Sequence, residues 1–112
     1  MSDLTVIYST FGSDENARTT ATTLVEEQLL ACANLIPGVI SIYGWQGKTH
    51  ADPEIILIGK TRADLAQRAM ARLKELHAYE VPCITSWSIA ACDLDYAAWV
   101  RSAGPAGGHS AS

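Results

Sequence analysis

No stretch of this 112-residue sequence approaches the ~20 consecutive apolar residues that a membrane-crossing helix requires, so a membrane partner is not expected. Basic residues are equally sparse. Eight Lys and Arg are spread along a chain of net charge −4, with no cluster to neutralise a row of phosphates, which argues against nucleic acid as a partner. Cys32, Cys83 and Cys92 contain no C-x-x-C pair and leave an odd thiol under any disulfide scheme. The opening MSDLTVIYST has neither a basic n-region nor an apolar h-region. Both observations point to a reducing, cytoplasmic setting. The chain also lacks a G-x-S-x-G elbow and any glycine-rich turn with Walker or dinucleotide spacing. His77 is the one plausible base within the expected fold, so a non-enzymatic role is the stronger expectation.

What is present suits one folded unit. Apolar residues make up 48% of the chain and charged residues 18%, and folding at this length buries roughly two-thirds of the extended surface. LTVIYST (4–10) reads as a strand ending at Gly12. Ser13 offers an N-cap, and Ala17, Ala21, Leu24, Val25 and Leu29 recur at helical spacing, predicting a helix over 14–30. CANLIPGVISIY (32–43) turns extended. Pro37 and Gly38 interrupt it, so the regular part of a bent second strand is expected at 39–43. GWQGK (44–48) reads as a reversal, THADPE as a polar segment, and IILIGKT (55–61) as a buried third strand.

Thr61 is positioned to cap a helix over 62–76, with Leu65, Ala69, Leu73 and Leu76 on one face. Pro82 forces Val81 to be extended and opens a fourth strand at 83–89. Asp93 or Asp95 then caps a last helix, YAAWVRS. The order is βαββαβ plus a terminal helix: an α+β, ferredoxin-like sandwich, an antiparallel sheet with helices on one face. It predicts one domain over 1–102 and a disordered, Gly/Ser-rich tail over 103–112, where His109 has no expected role.

Three polar features stand out against this frame. LHAYEVPCI (76–84) gathers His77, Tyr79 and Glu80 in a short joint that could be a metal site, a ligand pocket, a catalytic pair or a helix-closing corner. Trp45 sits at a hairpin tip, although burying an indole is worth roughly 2–3 kcal/mol. It either folds back on its own chain or belongs to an arm that reaches a neighbour, and a ring of subunits explains it best. Lys60 closes an apolar strand and either snorkels to water or forms the cationic wall of a cleft near Glu54 and Glu80.

ACANLIPGVISIYGWQGK, EIILIGKT, LHAYEVPCI and DYAAWV, in that order and spacing, resemble the CutA divalent-cation tolerance proteins over about residues 4–101. The resemblance implies a ferredoxin-like homotrimer with interlocking hairpins, similar to the PII signalling proteins. It also implies a cytoplasmic role in tolerance of copper or another divalent cation, without an established enzymatic activity or a certain cofactor. By position, Trp45, Glu54, Lys60, His77, Tyr79 and Glu80 stand where the family keeps its cleft-forming residues, and Cys32 matches a cysteine common after the first helix. The metal candidates are His77, Cys83 and Cys32. Ser9 stands where some members carry a cysteine, and Leu76–His77 where they carry two adjacent histidines. Copper prefers thiolate and imidazole donors, so a site here requires convergence of chains or help from Cys83. The alternative implied is a PII-like sensor binding a small molecule in the inter-subunit clefts.

Overall fold

In the computed structural model, which describes residues 3–106, the alternation of LTVIYSTF becomes strand β1 (Leu4–Phe11). Its Ile7 and Phe11 point into the core while Tyr8 and Thr10 occupy the other face. Helix α1 (Asp14–Glu26) starts as expected, with the Ser13 hydroxyl accepting the Asn16 N–H at 3.1 Å. It stops four residues short of the expected end. Gln28 adopts φ 63°, the left-handed conformation that closes helices, and the Leu29 and Leu30 amides both return to the Leu24 carbonyl. Both leucines are still buried, placed by this closure instead of by another helical turn.

Strand β2 (Cys32–Trp45) and strand β3 (Lys48–Arg62) form the long hairpin that the sequence predicts, with the pairing running on to the turn. Gln46 and Gly47, with φ 50° and 77°, make the tight two-residue turn whose twist suits paired strands. Pro37 and Gly38 form a bulge, with the register slipping between Ile36 and Val39 and Gly38 at φ 81°. THADPE is therefore strand, not loop. Pro53 is tolerated there because β1 pairs only with residues 55–62 of β3, leaving one side of the outer part without a neighbouring strand.

A 3-10 turn (Ala63–Leu65) leads into helix α2 (Ala66–Leu76). Thr61 does not cap this helix; it is buried in β3 opposite Thr5. Strand β4 spans Ile84–Ser88, and helix α3 spans Leu94–Ala103, with Asp93 accepting the Tyr96 N–H as its cap. The sheet order is β2-β3-β1-β4, antiparallel throughout, the ferredoxin-like α+β arrangement.

Ile7, Phe11 and Leu57 of the sheet pack with Ala17, Ala21 and Leu24 of α1 and Ala69 and Leu73 of α2. A second cluster joins Leu4 to Ala97 and Val100 of α3. Arg62, buried, donates to the Arg101 and Pro105 carbonyls and so ties down the end of α3 and the residues after it. The expectation for the rest of the tail, His109 included, falls on residues 107–112, outside the described region. The described chain measures 51 × 25 × 21 Å. The long dimension follows from the arm, whose Ile40, Ile42 and Trp45 are 61%, 71% and 61% exposed.

Candidate functional site

Where the arm leaves the sheet, period-two alternation puts Val39, Ser41, Tyr43 and Trp45 of β2 on the same face as Glu54, Asp52, His50 and Lys48 of β3, residue opposite residue. Tyr8 and Thr10 of β1 continue that face, and the α2–β4 connection brings Tyr79, Val81 and Cys83 over it. Together these elements enclose a cleft of about 590 Å³ lined by Tyr8, Thr10, Ser41, Tyr43, Trp45, Glu54, Tyr79, Val81 and Cys83.

Glu54 lies at its floor, 8% exposed. One carboxylate oxygen accepts the Ser41 hydroxyl at 2.6 Å and the other the Tyr79 hydroxyl at 2.6 Å. Burial pushes its pKa up, but the hydroxyls of Ser41, Tyr79 and Thr10 outweigh that effect and hold it below the ordinary carboxylate value. Tyr79 is correspondingly pushed up to about 12 by burial and by Glu54. Tyr43 donates to Asp52 and stacks on His50, with its own pKa raised chiefly by that hydrogen bond. Among the described residues no Lys or Arg forms an ion pair with Glu54 or Asp52.

His77 lies beneath the cleft, buried and stacked on Phe11 with ring centroids 4.2 Å apart. Its Nδ1 accepts the Tyr79 N–H at 3.0 Å and its Nε2 donates to the Thr10 carbonyl at 2.7 Å. That pair of bonds specifies the neutral ring with its proton on Nε2. Burial lowers its pKa, partly offset by Thr10 and Glu54, so the imidazole is not the charged helix terminator that its position suggests. It serves as a post holding the Tyr79 backbone to β1.

The structure brings together Trp45, Glu54, Tyr79 and Cys83, and separates the other candidates. Lys60 donates to Asn34 at 3.0 Å and does not line the cleft; its alternation with Ile58 and Ile56 carries it along β3 away from Glu54. Glu80 is exposed and also outside the lining. Cys32 lies at the far end of β2 from Trp45, its sulfur 3.3 Å from the Tyr96 hydroxyl, whose pKa is pushed up to about 12 by that contact and by burial. Within one chain, then, Cys32, His77 and Cys83 are not a ligand set. Among the described residues no three His, Cys, Asp or Glu side chains are grouped to hold a metal. Ser9 is fully buried and donates to the Cys83 carbonyl at 2.7 Å, pinning the entry to β4.

Tyr8, Thr10, Ser41, Tyr43 and Asp52 were not foreseen as site residues. The signal was there in S-x-Y-x-W at 41–45 facing D-x-E at 52–54, once both stretches are read as strands. Gly12 was missed too: a Cβ there would lie 2.5 Å from the Tyr79 hydroxyl.

Comparison with known proteins agrees along almost the whole chain. The family model described as CutA1 divalent ion tolerance protein matches residues 5–103. The divalent-cation tolerance protein CutA of Thermus thermophilus is 44% identical over 96 residues, covering 86% of this chain and 93% of that protein. Protein CutA 1, chloroplastic, of Oryza sativa is 35% identical over 96 residues, 86% of this chain and 54% of its own length. The crystal structure of CutA1 from Oryza sativa superposes with a TM-score of 0.90 at 32% identity, covering 95% of this chain and 97% of that one.

Proposed function

Because the chain belongs to the CutA1 divalent ion tolerance family, we propose that it acts as a homotrimeric, non-enzymatic protein of divalent-cation tolerance with copper as its cation. The observation that carries the assembly is the arm. Ile40 and Ile42 stand exposed on one of its faces and Trp45 at its tip, and covering each aliphatic side chain is worth about 1.5–3 kcal/mol. Two other chains of the same kind supply that cover. The paired arm also extends past β1, leaving a strand edge that a neighbouring chain can protect.

Copper on this reading is cargo held between chains. Cys83, exposed at the cleft, and Cys32, half-buried, offer the soft donors that copper favours. His77 joins them only by giving up one of its two ring hydrogen bonds, so it is the weakest of the three candidates. Free cysteines suit a reducing cytoplasm. Related proteins are not confined to one compartment, one being named chloroplastic. The matches favour cation tolerance over the PII-like alternative. Among the described residues no helix is long and apolar enough to cross a membrane.

Titration of the full chain with Cu(II) against a competing chelator tests the copper reading. Cys83→Ser is expected to weaken binding at least about tenfold, or 1.4 kcal/mol. Undiminished affinity in Cys83→Ser, Cys32→Ser and His77→Ala alike would remove all three from the site.

A further inference from the structure

The cleft beside the arm has a chemistry that cation tolerance does not use. Its charge is negative and its walls are aromatic. Glu54 is buried without a cationic partner among the described residues, and Asp52 stands behind Tyr43 in the same condition. Tyr8, Tyr43, Trp45 and Tyr79 line the space above them.

A hard metal ion fits this poorly. Calcium, for example, takes about 6–8 oxygen ligands, whereas both oxygens of Glu54 already accept hydroxyls at 2.6 Å. An anion fits worse, because Lys60 lies outside the cleft and is bonded to Asn34. What remains is uncompensated negative charge behind ring faces. That combination attracts a diffuse, weakly hydrated cation, which gains from the ring quadrupoles and needs no direct coordination.

We propose that this cleft is a binding site for an organic ammonium cation with a methylated head group, its charge balanced by Glu54 and Asp52 and its methyl groups packed among Tyr8, Tyr43, Trp45 and Tyr79. Cys83, a candidate copper donor, lines the same cleft, but holding an ammonium needs no thiolate, so Cys83→Ser is expected to leave choline binding unchanged whatever it does to copper. Trp45, out at the hairpin tip, closes the cleft on the arm side, so the cleft has its full wall only when the arm is held in place.

The test is calorimetric titration of the full chain, in its solution assembly, with choline and with 3,3-dimethylbutan-1-ol, which has the same shape with carbon in place of the charged nitrogen. The expected result is saturable choline binding, with the neutral isostere at least about tenfold weaker, or 1.4 kcal/mol, because it forgoes the cation–π contacts and the carboxylates. Glu54→Gln is expected to weaken choline binding by a similar factor without affecting the isostere. Trp45→Leu, checked by light scattering to keep its assembly, is expected to weaken choline several-fold, so the question stays decidable even if Glu54→Gln does not fold. Absence of saturable choline binding would overturn the proposal, including the case in which another copy's side chain already fills the cleft. So would equal binding of choline and its isostere, which would make the cleft merely apolar.

Discussion

Each ring nitrogen of His77 is committed, one as donor and one as acceptor, and a proton added at Nδ1 would expel the Tyr79 amide. The folded chain therefore holds His77 neutral, with its pKa below the ordinary 6.5. Glu54 is also held below its ordinary 4.5. In both cases the unfolded chain binds more protons than the folded one, so acidification costs stability. The His77 contribution is complete above 6.5 and is lost as pH falls through its lower folded value. The Glu54 contribution is complete above 4.5 and is lost further down. An NMR titration of the imidazole is expected to give a midpoint below 6.5, and a midpoint at or above that value would contradict the hydrogen-bond assignment.

Gly12 offers a second test at this scale. Gly12→Ala places a methyl 2.5 Å from the Tyr79 hydroxyl, so the ring must move and release Glu54. The expected cost is about 1–3 kcal/mol in chemical denaturation, the range for a buried acceptor that loses its partner. In Gly12→Ala combined with Tyr79→Phe the cost beyond Tyr79→Phe alone should shrink, because the hydroxyl has already gone. Of these residue-level features, His77, Tyr79, Glu54 and Trp45 were visible as polar or aromatic side chains in unusual places. The commitment of both His77 nitrogens was not, because Thr10 is 67 residues away in sequence and meets His77 only through the fold.

The elements differ in how far local pattern determined them. Helix α2 follows its apolar repeat to Leu76, and β1 follows its alternation, because one face of each is buried along most of its length. The outer half of β3 carries no such signal. THADPE has a proline and two acids, and it becomes strand only through pairing with VISIYGW across the Gln46–Gly47 turn. Helix α1 was read too long because Leu29 and Leu30 are apolar and buried, while the residue that ends the helix, Gln28, is not a usual left-handed closer.

Helix α3 depends on a buried cation that local pattern does not reveal. Arg62 reaches from the end of β3 to the Arg101 and Pro105 carbonyls while paired with Asp64 at 2.9 Å. Arg62→Met is expected to lower stability by about 2 kcal/mol and to loosen α3 before the rest, seen as faster amide exchange in residues 96–103. Uniform exchange along the chain would argue against that role.

Taken as a whole, the molecule is a half-covered sheet with an arm. Two helices shield one face of the sheet, and Trp87, Ile36 and Trp45 stand exposed elsewhere, alongside Ile40 and Ile42. Patches of this extent on a folded chain mark an interaction surface. Assembly was legible in the sequence through open sheet edges, a protruding long hairpin and Trp45 together; the exposed Ile40 and Ile42 on the arm came only with the strand pairing. Ile42→Lys is expected to weaken the assembly while leaving the far-ultraviolet circular dichroism of the chain unchanged, since Ile42 touches little within its own chain.

On the proposed reading, three chains complete one another through their arms. Light scattering coupled to size exclusion tests it most directly. A single species of about three times the 12.0 kDa chain mass that persists on dilution is expected, and a stable, well-folded species at 12.0 kDa would rule the trimer out.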